Sequence, residues 1–171
     1  MEQLTPPFER FAAQILPRLM RFADVLTGQH QLAEDIVQDV LIRTQQRWER
    51  IGSLDAPEAY LRRMIVNDFV SWRRRLARAT PTVVLEDLDV VTDGADFATD
   101  HAQRDELAAR LRTLPPKQRA AIVLRFYVGV PDSEIAAALG CSEGTVRSHI
   151  SRALTTLRVV AAEPTFSHRS L

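Results

Sequence analysis

From Thr80 to Gln103 the chain carries no sustained hydrophobic period, and that gap limits how the rest can fold. The surrounding stretch is acidic: residues 80–106 set Arg104 against Glu86, Asp87, Asp89, Asp93, Asp96, Asp100, Asp105 and Glu106, a net charge of −7. Such a segment buries too little apolar surface to offset the entropy of ordering it, so it reads as an acidic flexible linker. The flanks differ in sign, residues 1–79 carrying +2 and residues 107–171 carrying +5. The zero net charge of the 171-residue chain therefore conceals an acidic middle between two blocks, each the size of a small domain. At this length the chain suits one ordinary domain or two small ones.

Both blocks have helical periodicity. Phe11, Ile15, Leu19, Phe22 and Leu26 recur near 3.6 residues and predict a first helix, broken by Thr27-Gly28-Gln29. A second helix is expected from about Leu32 to Trp48, with Ile36, Val37, Val40, Leu41, Thr44 and Trp48 on one side. Asp35, Gln38, Asp39, Arg43 and Gln46 fall on the other. Arg50 to Pro57 reads as a loop, with Pro57 suited to the first turn of a third helix that runs to about Arg78. Leu61, Met64, Ile65, Phe69, Trp72 and Leu76 form its apolar stripe, opposite Arg63, Asn67, Ser71, Arg74 and Arg78. Trp48 and Trp72 sit on apolar stripes and are expected in the core. Thr80-Pro81 ends the helix, since proline disfavours helical geometry in the residue before it. With only 6 Gly in the chain, the fold class is all-α.

In the second block a short helical run begins near Glu106, and Leu114-Pro115-Pro116 separates it from a helix over roughly Lys117 to Tyr127. The stretch from Asp132 to Ile150 then reads as a helix-turn-helix. Ile135, Ala136 and Leu139 form the inner face of one short helix, and Gly140 supplies the left-handed residue that stops it. Ser142 is a suitable N-cap for the next. There Val146, Ile150, Ala153, Leu154 and Leu157 make one apolar stripe. Gly144, Ser148, Ser151, Arg152 and Thr155 lie opposite, with Thr145 and Arg147 on the flanks. Small residues allow close backbone approach to a major groove, and arginine can bond both acceptors of a guanine.

These residues carry a resemblance. Leu114-Pro115-Pro116-Lys117-Gln118-Arg119, Glu134-Ile135-Ala136 and Gly144-Thr145-Val146-Arg147-Ser148 are similar to region 4 of extracytoplasmic-function (ECF) sigma factors of the sigma-70 family. Ala33-Glu34-Asp35-Ile36-Val37-Gln38-Asp39-Val40 resembles their region 2.2. Val66-Asn67-Asp68-Phe69-Val70-Ser71-Trp72-Arg73-Arg74-Arg75 resembles region 2.4, in the manner of the actinobacterial SigE-like branch. The motifs run in order over about Phe8 to Arg158.

The resemblance implies two small helical domains: a region 2 bundle over 1–79 and a region 4 helix-turn-helix over 107–160. The linker spans 80–106 and a tail 161–171. It also implies roles. Asp35, Gln38, Asp39 and Arg43 would bind the clamp of the largest subunit of core RNA polymerase, while region 4 would meet the flap of the second-largest. Arg63, Asn67, Ser71, Arg74 and Arg78, with Arg50 and Ser53 from the preceding loop, would read and open the promoter element nearest the start site. Thr145, Arg147, Ser148, His149, Ser151 and Arg152 would read the duplex element near minus thirty-five, Arg147 and His149 toward phosphates. The linker would thread through the polymerase near its active site and RNA exit path. An anti-sigma factor is a usual partner of such proteins.

Other classes find little support. Cys141 is the sole cysteine, and the histidines at 30, 101, 149 and 168 show no metal-ligand spacing, so no metal or cofactor is expected. No catalytic grouping appears, and no enzyme is expected. The first residues lack a signal peptide, no stretch reaches membrane-span length, and a cytoplasmic location is expected. The rival readings are a polymerase-independent helix-turn-helix regulator acting as a dimer and a protein-binding adaptor. The second basic helix and the acidic linker weigh against the regulator, and the Ser148/Arg152 pattern weighs against the adaptor.

Overall fold

In the computed structural model, which describes residues 7–79 and 100–162, the first apolar period becomes α1 (Phe8–Thr27). Ile15, Leu19, Phe22 and Leu26 are all buried along it. Gly28 closes the helix at φ 68°, its N–H donating to the Asp24 carbonyl, because the left-handed region strains any residue that has a Cβ. Next comes α2 (His30–Gln45), burying Ala33, Ile36, Val37, Val40 and Thr44. It stops three residues short of Trp48, which instead starts the short helix α3 (Trp48–Ile51). Arg50 and Ile51, expected in the loop, are thus helical, and Ile51 is fully buried. An isolated buried isoleucine has no period, so its inward turn left no pattern in the sequence. Trp48 is only half-buried, set against the rings of Phe8 and Phe11 at centroid distances of 5.5 and 4.7 Å.

The next helix, α4 (Pro57–Ala79), buries Leu61, Ile65, Val66 and Phe69 against α1 and α2. Each such side chain contributes about 1.5–3 kcal/mol by leaving water. Trp72 and Leu76 are half-exposed, so the expected stripe weakens toward the helix end, and Val66 enters the core unannounced. Ion pairs fasten the bundle at its surface. Arg43 of α2 pairs with Asp68 of α4, and Arg18 of α1 reaches Glu58 of α4 at 3.0 Å.

By contacts within the chain, Met1–Ala98 and Thr99–Leu171 form two separate compact units. The second unit opens with α5 (Asp100–Arg112), six residues before the helical run expected at Glu106. Its first turns lack an apolar period, which is why periodicity missed them; Ala, Gln, Arg and Glu supply helix propensity instead. The remaining linker and tail expectations, 80–99 and 163–171, lie outside the described residues.

A helix α6 (Pro116–Ile122) runs directly into a π-helical turn, Val123–Val128, closed by Gly129 at φ 81°. Then α7 (Asp132–Leu139) and α8 (Glu143–Ala162) pack against α6. Leu111, Leu114, Ala120, Ala121, Val123, Leu124, Ile135, Val146 and Ala153 form the core. Arg119 joins them at 2% exposure, its Nη2 donating to the carbonyls of Arg112 (2.9 Å) and Leu114 (3.4 Å). A cation beside the end of α5 satisfies the last carbonyl of the helix, that of Arg112, and the Leu114 carbonyl in the turn beyond it.

Candidate nucleic-acid interface

The turn between α7 and α8 sets the presentation of α8. Gly140, at φ 62°, and Cys141 both donate their N–H to the Ala136 carbonyl, ending α7. Ser142 Oγ accepts the N–H of Thr145 at 3.2 Å, starting α8. With Val146 and Ala153 fully buried, helical geometry forces the opposite face outward. Gly144, Ser148, Ser151, Arg152 and Thr155 are all exposed along it, as are Thr145 and Arg147. Ser148 and Thr155 meanwhile donate to carbonyls one turn back, those of Gly144 and Ser151, at 3.1 and 3.0 Å. Their hydroxyls keep lone pairs free to accept, and they donate outward after a rotation.

Three of the expected positions differ in character. The Thr145 hydroxyl lies 3.0 Å from that of Ser142, so it belongs to the cap as well as to the surface. Arg147 stands 3.6 Å from Asp132 and 4.0 Å from Glu143, held loosely by two carboxylates. His149 is turned half inward, its Nδ1 buried without a hydrogen-bond partner. Burial, followed by the positive charges of Lys117 and Arg152, pushes its pKa below the ordinary 6.5. At neutral pH the imidazole is uncharged, and its expected attraction for phosphate is correspondingly small.

In the first unit Arg63, Asn67, Ser71, Arg74 and Arg78 are every one exposed, a ribbon along α4 of three guanidiniums with an amide and a hydroxyl between them. Arg50 lies within α3 rather than in the loop, but Ser53 Oγ donates to its carbonyl at 2.9 Å, so the two stay together. Arg73, which the sequence reading passed over, rests against the Trp72 ring with Cζ 5.8 Å from the centroid. Its Nε is buried without a hydrogen-bond partner, and burial lowers its pKa. Its place one residue beyond Trp72 on the stripe was the available signal.

On α2, Asp35, Gln38 and Asp39 are exposed side by side. Arg43 is not free in the same way. It pairs with Asp68 and its Nε donates to the Asp39 carbonyl at 3.3 Å, so it braces α2 against α4. Among the described residues no cluster of three potential metal ligands occurs, and no helix is long and apolar enough to cross a membrane.

What this arrangement offers is two separate helix faces rich in arginine and small polar groups, suited to phosphates and base edges. Comparison with known proteins gives a consistent picture. Residues 11–79 match the sigma-70 region 2 family, and residues 104–157 match sigma-70, region 4. The chain is 39% identical over 152 residues to the RNA polymerase sigma-E factor of Streptomyces avermitilis, covering 88% of this chain and 83% of that one. It is 33% identical over 147 residues to the ECF RNA polymerase sigma factor SigL of Mycobacterium tuberculosis, covering 85% and 83%. Among solved structures it resembles the sigma factor RpoE of Bartonella quintana, crystallised with the anti-sigma factor NepR. That likeness has a TM-score of 0.65 and 28% identity, over 92% of this chain and 98% of the other.

Proposed function

The chain belongs to the sigma-70 family as an RNA polymerase sigma factor of the ECF kind, and from that premise we propose how its parts divide the work. The first unit, with residues 1–79 as region 2, docks on the polymerase clamp through Asp35, Gln38 and Asp39 of α2, with Arg43 bracing the surface from behind. The α4 ribbon then reads the promoter element nearest the start site. Asn67 and Ser71 meet bases, and Arg63, Arg74 and Arg78 meet phosphates. Arg50 and Ser53 border the loop that receives an unstacked base, which offsets part of the few kcal/mol, roughly, that opening a duplex step costs.

The second unit, with region 4 over 107–160, lays α8 in the major groove of the element near minus thirty-five. Ser148, Ser151 and Arg152 face base edges, and Thr145 and Arg147 flank them. His149, neutral at pH 7, serves as a packing neighbour and polar contact there. The same unit meets the polymerase flap. The acidic linker lies in the basic channel that later carries RNA. Polymerase supplies the chemistry, and the chain itself is no enzyme. It acts in the cytoplasm on core polymerase and promoter DNA, under an anti-sigma factor; the RpoE likeness, crystallised with one, supports that last partner.

One observation carries this reading: every residue assigned by motif to the DNA face of α4 is exposed, on a helix whose other side is core. The experiment is reconstitution. Full-length chain with core enzyme should initiate transcription at a cognate promoter, while the chain alone should bind that duplex poorly. Tight sequence-specific binding by a homodimer without polymerase would assign it instead to the operator-binding regulators.

A further inference from the structure

Asp132, in the first turn of α7, is where two guanidiniums meet. Its Oδ1 pairs with Arg125 from the π-turn, and its Oδ2 lies 3.6 Å from Nη1 of Arg147 on α8. Arg147 is also 4.0 Å from Oε2 of Glu143, one turn back on its own helix. The carboxylate and the guanidinium are held very differently. Only 19% of the Asp132 side chain is exposed, against 65% for Arg147. The Arg125 contact anchors the carboxylate, whereas the contacts to Arg147 are too long for hydrogen bonds and act through space. Arg147 is thus restrained without being fixed, on the edge of the face assigned to DNA.

Phosphate attraction is the part of duplex binding that ignores sequence. A carboxylate beside a phosphate-seeking arginine opposes that part, since the arginine must leave one anion for another while the carboxylate itself repels the backbone. We propose that Asp132 acts as a charge brake on α8: by holding Arg147 between itself and Glu143, it removes about one phosphate contact from the chain's affinity for arbitrary duplex and keeps the free chain off DNA. The inference rests on α8 facing DNA, as assigned above. Arg125 is the positioning partner that points the carboxylate at Arg147.

The test is binding of the full chain to a random-sequence duplex across a salt series, with circular dichroism confirming helix content. Asp132→Asn keeps the shape and removes the charge. It should bind more tightly at low salt, and its logarithmic salt slope should steepen by about 0.9, so that it loses about threefold more affinity than the parent between roughly 50 and 200 mM salt. Asp132→Glu should restore the parent slope, and Asp132→Asn with Arg147→Gln should abolish the gain. Glu143→Gln, at an exposed position, should move the slope the same way by less, and serves as the test if Asp132→Asn does not fold.

A parent-like slope in Asp132→Asn, or in Glu143→Gln where that stands in for it, overturns the brake if Arg147→Gln still weakens binding; α8 then stays on DNA. If the slope stays parent-like and Arg147→Gln has no effect on binding either in the parent or beside Asp132→Asn, the placement of this edge of α8 is overturned and the brake with it.

Discussion

Arg119 and Arg152 show how far one side-chain type can diverge within one unit. Arg119 is buried under the end of α5 and bonds two carbonyls there. Arg119→Ala leaves a cavity and orphans those acceptors, and it should cost about 3 kcal/mol or more in a urea unfolding titration. Arg152 is exposed opposite the buried stripe and has nothing structural to lose. Arg152→Ala should instead cost about 1–3 kcal/mol of promoter affinity and relax preference at one position of the upstream element. Asn67→Ala should leave that preference intact and impair opening or the downstream preference, because the proposed assignment has α4 meeting DNA as it melts. A randomised-promoter transcription assay with permanganate footprinting separates the two. If Arg152→Ala mainly blocks melting, the assignment of units to promoter elements is reversed.

At the scale of elements, the corner between α1 and α2 is sensitive to pH. His30 Nδ1 lies 2.9 Å from Asp24 on α1 and Nε2 lies 3.2 Å from Glu34 on α2. The hydrogen bond and charge of Asp24, followed by Glu34, raise the His30 pKa above the ordinary 6.5. A folded pKa above the unfolded one adds stability in full below 6.5, and that stability is lost as pH rises through the folded value. His30→Gln should therefore lower the urea midpoint below pH 6.5 and converge on the parent at higher pH, the group's exposure keeping the effect small. NMR titration should place the His30 pKa above 6.5 and lower it in Asp24→Asn. Elements also mark what the sequence made legible. The buried stripes of α1 and α2, the Val146 and Ala153 side of α8 and the exposed ribbon of α4 were readable because amphipathic helices repeat. The break before Trp48, the aperiodic start of α5 and the π-turn were not, since each is settled by tertiary packing or by a local hydrogen-bond shift without period. Nor could spacing reveal that Arg43 and Arg147 would find carboxylates on other helices, Asp68 and Asp132. Partners distant in sequence leave no local trace.

For the molecule as a whole, promoter selection requires both units and the polymerase together. Two weakly binding modules on a tether gain effective concentration once one is engaged, so a lesion in polymerase docking should disable both DNA contacts without touching either. Gln38→Lys with Asp39→Lys should weaken competition for core enzyme and leave the circular dichroism spectrum unchanged. Normal competition by that variant would place the polymerase contact on another face. The separation of the units has an optical consequence too. Both tryptophans of the chain, Trp48 and Trp72, fall in the first unit, and Trp48 lies against the rings of Phe8 and Phe11. The second unit contains no indole. Emission excited beyond tyrosine absorption therefore tracks α1, α3 and α4 alone, whereas ellipticity sums every helix. The gap between those two melting curves measures how independently the halves of this protein unfold.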